Sequence, residues 1–195
     1  MPVARDVEHR PLPYGVAARG VVDCAVETFR LLAARRIRLP RSNLGTNLRF
    51  ADGTTGRVYR ETVVDGAADT EPCVLIVSFR LRLVRGAVMH ALFRLESLLN
   101  TPLFVGFPGF VSKLWVAHDQ NGVYRGVYEW DGAERAEHYA RCLWRVLALV
   151  SVSGSIDYAI VPGLRRDDAL ADPYRLAAAN ERLPAWALPA ADGTR

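Results

Sequence analysis

The sequence predicts an α+β fold: a ferredoxin-like βαββαβ antiparallel sheet, preceded by a helix and a β-hairpin. Three observations carry this. CVLIVSFRLRL (73–83) alternates, with Cys73, Leu75, Val77, Phe79, Leu81 and Leu83 on one side and Val74, Ile76, Ser78, Arg80 and Arg82 on the other. GFPGFVSKLWVAHDQNGVYRGVYEW (106–130) reads as two strands around Asn121-Gly122, a strong hairpin signal. Two stretches of helical spacing and a last alternating run, SIDYAIV, complete the order strand, helix, strand, strand, helix, strand.

Each element has its own warrant. From Val21 to about Ile37 the spacing is helical, with Val22, Ala25, Val26, Phe29 and Leu32 sharing one side until Pro40 stops it. TNLRFADGTTGRVYRETVV holds two strand-like runs around Asp52-Gly53, a dipeptide suited to a turn. DGAADTEP (65–72) is a small, polar linker, and it divides an N-terminal extension (1–70) from the main domain (71–163). Residues 87–99 place Val88, Leu92, Leu95 and Leu99 at helical spacing, ended by Asn100-Thr101-Pro102. After the hairpin, Asp131 and Glu134 have the spacing of a capping pair ahead of a stripe of Ala136, Ala140, Leu143, Leu147 and Val150. Pro162-Gly163 closes the last strand. The C-terminal extension (164–195) carries a short helical run from Tyr174 to Leu183, an anchor at Trp186 and a mobile end after about residue 188.

With helices on one face only, the other face, which carries Val74, Ile76, Leu114, Val116 and Val127, is too apolar to stay wet. The expectation is a homodimer formed sheet to sheet, with Arg80, Arg82, His118, Arg125, Glu129 and Asp157 as the polar part of an interface that includes Val116 and Val127.

Composition narrows the partners. The net charge of +4 is almost wholly arginine, and the basic cluster AARRIRLPR falls at a helix end, where cations complement the dipole. No aromatic-rich RNA motif, helix-turn-helix pattern or zinc-finger spacing suggests a nucleic acid. No apolar run approaches the roughly 18 to 20 residues of a membrane span, and the start lacks a signal-peptide layout, so a cytoplasmic protein with no membrane partner is expected. Cys24, Cys73 and Cys142, an odd set without CxxC spacing, read as buried reduced thiols.

A two-residue turn at Asn121-Gly122 sets Trp115 opposite Tyr128, Lys113 opposite Trp130 and His118 opposite Arg125. Lys113, Trp115, Ala117, Gly126, Tyr128 and Trp130 then share the helix-covered face. Lys113 is the chain's only lysine. A lysine among aromatics is costly unless its ammonium reaches water, a carboxylate or a ring face. Either it snorkels out of a packed core, or a pocket lies beside it, with Gly126 leaving room.

These residues carry a resemblance. GFPGFVSKLW with RGVYEW, a lysine-x-aromatic strand (Lys113-Leu114-Trp115) followed by a Gly-x-Tyr-x-aromatic strand (Gly126 to Trp130), resembles the YdhR-like branch of the dimeric α/β barrels, related to the antibiotic-biosynthesis monooxygenases, over about residues 73–162. The resemblance implies sheet-to-sheet dimers with a pocket between sheet and helices in each subunit. The activities it implies range from cofactor-free oxidation of electron-rich aromatics through haem-dependent chemistry and lactone isomerisation to no catalysis.

In a cofactor-free oxygenase the substrate supplies the electrons as a carbanion or phenolate, and the protein supplies a dry cavity, a proton acceptor and anion-stabilising donors. Lys113 and Tyr128 are the candidates for charge and hydroxyl, and His138 and His90 for the base. Trp115, Trp130, Tyr158, Phe79 and Gly126 are candidates for the lining around a hydrophobic or aromatic small molecule. The same pocket suits a cyclase or isomerase acting on a natural-product intermediate, or a non-catalytic ligand-binding dimer. No GxxxxGK[ST], GxGxxG, HExxH or GxSxG is present and no metal site is expected. No cofactor is expected either, although haem stays open because one axial histidine needs no spacing motif.

Overall fold

The computed structural model describes residues 10–68, 70–82 and 101–190. Helix α1 (Tyr14–Ala33) leads into the short strands β1 (Ile37–Arg38) and β2 (Asn47–Arg49) and the long β3 (Thr55–Val64). The central domain follows as β4 (Pro72–Arg80), β5 (Phe110–Val116), β6 (Val123–Asp131), α2 (Ala133–Val150) and β7 (Asp157–Pro162). Two short helices, α3 (Arg166–Ala171) and α4 (Pro173–Ala179), end it. The helix expected at 87–99 lies outside the described residues.

The sheet runs β1-β3-β5-β6-β4-β7, with β2 paired to β3. Its β5-β6-β4-β7 part is antiparallel throughout and follows the ferredoxin-like order: second, third, first and fourth strand of βαββαβ. The N-terminal extension enlarges this sheet, since β3 pairs along the free edge of β5 and removes an exposed ladder. β4 is central and covered on both faces, which is why Cys73 to Val77 are all buried and read as a nearly continuous apolar run.

The face carrying Cys73, Leu75, Val77, Trp115, Tyr128 and Trp130 packs against α1 and α2, as the alternation predicts. The opposite face corrects the expectation of a sheet-to-sheet dimer. Val74, Ile76, Leu114, Val116 and Val127 form a second core with Leu164, Ala169, Leu176 and Ala187, so the chain's own C-terminal segment covers them. Of the polar interface set, Glu129 and Arg125 are paired within the chain. Glu129 accepts from the backbone N–H of Arg166 at 3.1 Å. The buried guanidinium of Arg125 pairs with Asp119 at 2.8 Å and Asp52 at 3.3 Å and donates to the carbonyl of Trp186 at 3.1 Å. Arg82 donates to the carbonyl of Ser151 and so caps the end of α2. Arg80 is exposed at the end of β4. His118 leaves this face altogether, with its ring 5.4 Å from Tyr124, because the hairpin loop is longer than expected.

That loop also shifts the register. Gly122 and Asp119 close a turn through Gly122 N–H to Asp119 O, and the Asp119 carboxylate caps the N–H groups of Asn121 and Val123. Lys113 therefore faces Tyr128 and Trp115 faces Gly126, two residues from the predicted pairing. A two-residue slip keeps every side chain on its face, so the sorting by face holds where the opposing pairs do not.

Three further boundaries differ for identifiable reasons. α1 ends before Pro40 because Arg35 takes a left-handed conformation (φ 53°) and Arg36 N–H returns to Leu31 O. Asp131 does not cap α2; its carboxylate accepts from Thr70 and Glu71 N–H and the Thr70 hydroxyl and pairs with Arg135, which holds it down to about 2. The C-terminal segment is docked beyond residue 188: Ala190 N–H reaches Arg49 O at 2.7 Å, and Pro189 bridges Phe50. Residues 191–195 lie outside the description.

Candidate functional site

The helix-side face of β3, β5 and β6 carries the candidate site. Lys113 is only 5% exposed. Its Nζ lies 3.2 Å from the centroid of Trp115, 4.6 Å from that of Phe104 and 4.7 Å from that of Tyr128. Among the described residues no carboxylate pairs with it. Burial pushes its pKa well down from the ordinary lysine value, and the neighbouring Arg60 guanidinium pushes the same way.

Two of the surrounding groups come from the N-terminal extension. The pairing of β3 with β5 sets Arg60 opposite Trp115 and Thr62 opposite Lys113. Arg60 stands 5.0 Å from the Trp115 ring and donates to the Thr101 hydroxyl at 2.7 Å. The buried hydroxyl of Thr62 accepts from the Trp115 indole at 3.3 Å. The order in β3, Arg60-Glu61-Thr62, already puts Arg60 and Thr62 on one face and Glu61 on the other. What the sequence lacked was the knowledge that this strand joins β5.

Tyr128 is fixed by Tyr139 on α2, whose hydroxyl donates to it at 3.1 Å. Burial raises the pKa of both phenols, so both stay protonated at neutral pH and serve as donors rather than bases. The absence of a Cβ on Gly126 does not leave a pocket. A Cβ there would lie 2.6 Å from Cε2 of Tyr128, so the ring of Tyr128 takes up that volume.

The other predicted site residues do not gather at Lys113. Trp130 is wholly buried against Phe110 and Tyr139. Phe79 stacks on Tyr124, four residues along β6 from Tyr128, or about 13 Å. Tyr158 lies in one row across the sheet with Val77, Gly126 and Trp115, three strands or about 14 Å from the tryptophan. Burial lifts its phenol to about 12, and its ring meets Trp144 edge-on. His138 sits 3.6 Å from Cys142 Sγ and borders a half-open cleft of about 760 Å³, between α1 and residues 105–110, that none of Lys113, Trp115 or Tyr128 lines. His90 lies outside the described residues. Among the described residues no group of three or more His, Cys, Asp or Glu could hold a metal, and no helix is long and apolar enough to cross a membrane.

The arrangement is a cation and a phenol donor held in a dry aromatic layer. It can stabilise an anion, and among the described residues no carboxylate is paired with Lys113 to act as a base.

No family model and no curated protein matches the chain. Two solved structures are similar to it: a monooxygenase-like protein from Listeria innocua (16% identity, TM-score 0.36) and an uncharacterised ferredoxin-fold protein related to antibiotic biosynthesis monooxygenases from Listeria monocytogenes (15%, 0.33). Each match covers 55% of this chain and 63% of the other.

Proposed function

We propose that this chain is a small-molecule enzyme of the monooxygenase-like kind, binding an anionic, electron-rich aromatic or polyketide-like molecule on the helix-side face at Lys113. One observation supports this most: the only lysine of the chain is buried against three rings with no carboxylate partner among the described residues. Leaving a charge without its countercharge in the interior costs several kcal/mol, of which ring faces return about 2 kcal/mol. A phenolate, enolate or carboxylate supplies a countercharge.

The chemistry such a site favours needs little from the protein. A ring methylene loses a proton, the resulting carbanion reduces dioxygen, and the peroxide that forms on carbon loses water to leave a carbonyl. One methylene and one dioxygen give one carbonyl and one water, without an external reductant. Lys113 stabilises the anion before and after the electron leaves, Tyr128 donates to an oxygen of the substrate, and the rings exclude water. The proton acceptor is supplied by the substrate's own phenolate or by a residue away from Lys113.

Calorimetry with a hydroxylated naphthoic acid and a hydroxylated anthrone on the wild type and Lys113→Met tests the binding. The wild type binds and the variant loses most of the affinity; equal affinity in both, or none in either, refutes the reading. Product mass then separates oxygenation, which adds an oxygen and removes two hydrogens, from cyclisation or isomerisation, which leaves the mass unchanged.

A further inference from the structure

We infer that a second copy of this chain docks on the outer face of α1, antiparallel and about a two-fold axis at Val26, a surface independent of the Lys113 reading. α1 buries Cys24, Thr28 and Leu31. At 100° per residue, Val22, Val26 and Phe29 fall on the opposite side of the helix, flanked by Leu32. Val22 and Phe29 are 60% and 64% exposed, and Val26 and Leu32 are both 48% exposed. A stripe of branched and aromatic side chains over three turns on the solvent side of a 20-residue helix is the pattern of a helix that has a partner.

The helix cannot roll to bury that stripe. A Cβ on Gly106 would lie 2.0 Å from the Cys24 carbonyl oxygen and 2.7 Å from the Thr28 nitrogen, so backbone meets backbone and the orientation of α1 is fixed. The apolar face of the sheet is already covered by the chain's own C-terminal segment.

Charge selects the occupant and its direction. Asp23 and Arg30 lie on the same flank of the stripe, two turns apart. In an antiparallel pair the same flanks face each other, and one register sets Val22 against the partner's Phe29, Val26 against the partner's Val26, and Asp23 against the partner's Arg30, twice by symmetry. In a parallel pair the flank that carries Asp23 and Arg30 would face the opposite flank of the partner, so the two charges would not meet. Arg30 is free to make the new contact because its present pair with Glu27 at 3.2 Å is exposed and contributes little.

Light scattering over a range of concentrations tests this with the full chain. The wild type is expected to dimerise, and Val26→Glu to be monomeric with an unchanged circular-dichroism spectrum, since Val26 is exposed in the single chain. Asp23→Arg weakens the dimer about tenfold, and adding Arg30→Asp restores it. Val26→Cys forms an intermolecular disulfide on mild oxidation, a readout that does not depend on the glutamate variant folding; the three native cysteines are buried. A wild type that stays monomeric at every concentration overturns the inference. So does a dimer that survives Val26→Glu and gives no cross-link through Val26→Cys, including one in which the stripe instead binds lipid vesicles.

Discussion

At the residue scale the informative group is Lys113. It was legible in the sequence as the one cation on an aromatic face, because strand alternation assigns faces without any knowledge of pairing. Its neighbours Arg60 and Thr62 were not, since they arrive by pairing of a distant strand, and neither was the fate of Gly126, whose side-chain volume the Tyr128 ring occupies. Burial that depresses a lysine pKa lowers stability wherever the unfolded state holds the extra proton. Between the lowered pKa of Lys113 and the ordinary value of 10.5, the unfolded chain binds more protons than the folded one, so this residue makes stability rise with pH across that window. Lys113→Met removes the cation but keeps the volume. It is expected to raise stability at pH 7 by about 1 to 4 kcal/mol and to flatten the pH dependence in urea denaturation; a destabilised variant would mean that the rings compensate the charge fully. Trp115→Ala, by contrast, should cost about 3 to 5 kcal/mol, since the indole is buried and bonded to Thr62.

At the element scale Arg125 ties three segments that are far apart in sequence. Its guanidinium reaches Asp119 in the hairpin loop, Asp52 and Thr54 in the N-terminal turn and the Trp186 carbonyl near the C-terminus, and it covers the Phe50 ring at 4.3 Å. The arginine and its face were legible; that its partners lie within the chain was not, because the loop residue Asp119 and the tail look like surface in the sequence. Arg125→Met is expected to cost about 3 to 5 kcal/mol by chemical denaturation, as it leaves the Asp119 carboxylate buried without its partner. Adding Asp119→Asn should recover part of that loss, and strictly additive costs would show that the two side chains do not interact. α1 teaches the reverse lesson. Its apolar spacing put Val22, Val26 and Phe29 on one side, and the structure leaves that side outward while smaller residues face in, because Gly106 and Gly20 bring neighbouring atoms against its backbone.

At the scale of the whole molecule, the order of elements was readable and gave the ferredoxin-like plan, but the cover of the second face was not. Both a partner sheet and a cis segment satisfy the same need to bury Val74, Ile76, Leu114, Val116 and Val127. The C-terminal residues that do so, Leu164, Ala169, Leu176 and Ala187, are separated by polar stretches that carry little periodic signal. The cover is secured by a buried pair, Arg166 with Glu61 at 2.7 Å, and Asn43 donates to the other oxygen of that carboxylate at 2.9 Å. Deleting residues 164–195 should expose this face and convert the chain into a species that associates through its sheet or precipitates. Light scattering that shows no association, with hydrogen exchange still slow in β4 and β5, would contradict this view of the tail.

The proposed function rests on Lys113 as a buried cation that binds an anion. Because the chain has one lysine, lysine labelled at its ε carbon gives a signal from that residue alone, and its chemical shift can be followed through pH without mutation. A titration well below the ordinary lysine value is expected in the free protein, moving upward when a hydroxylated naphthoic acid is added, as the bound anion favours the ammonium. An ordinary lysine titration in the free protein, or one that the ligand leaves unmoved, would contradict it.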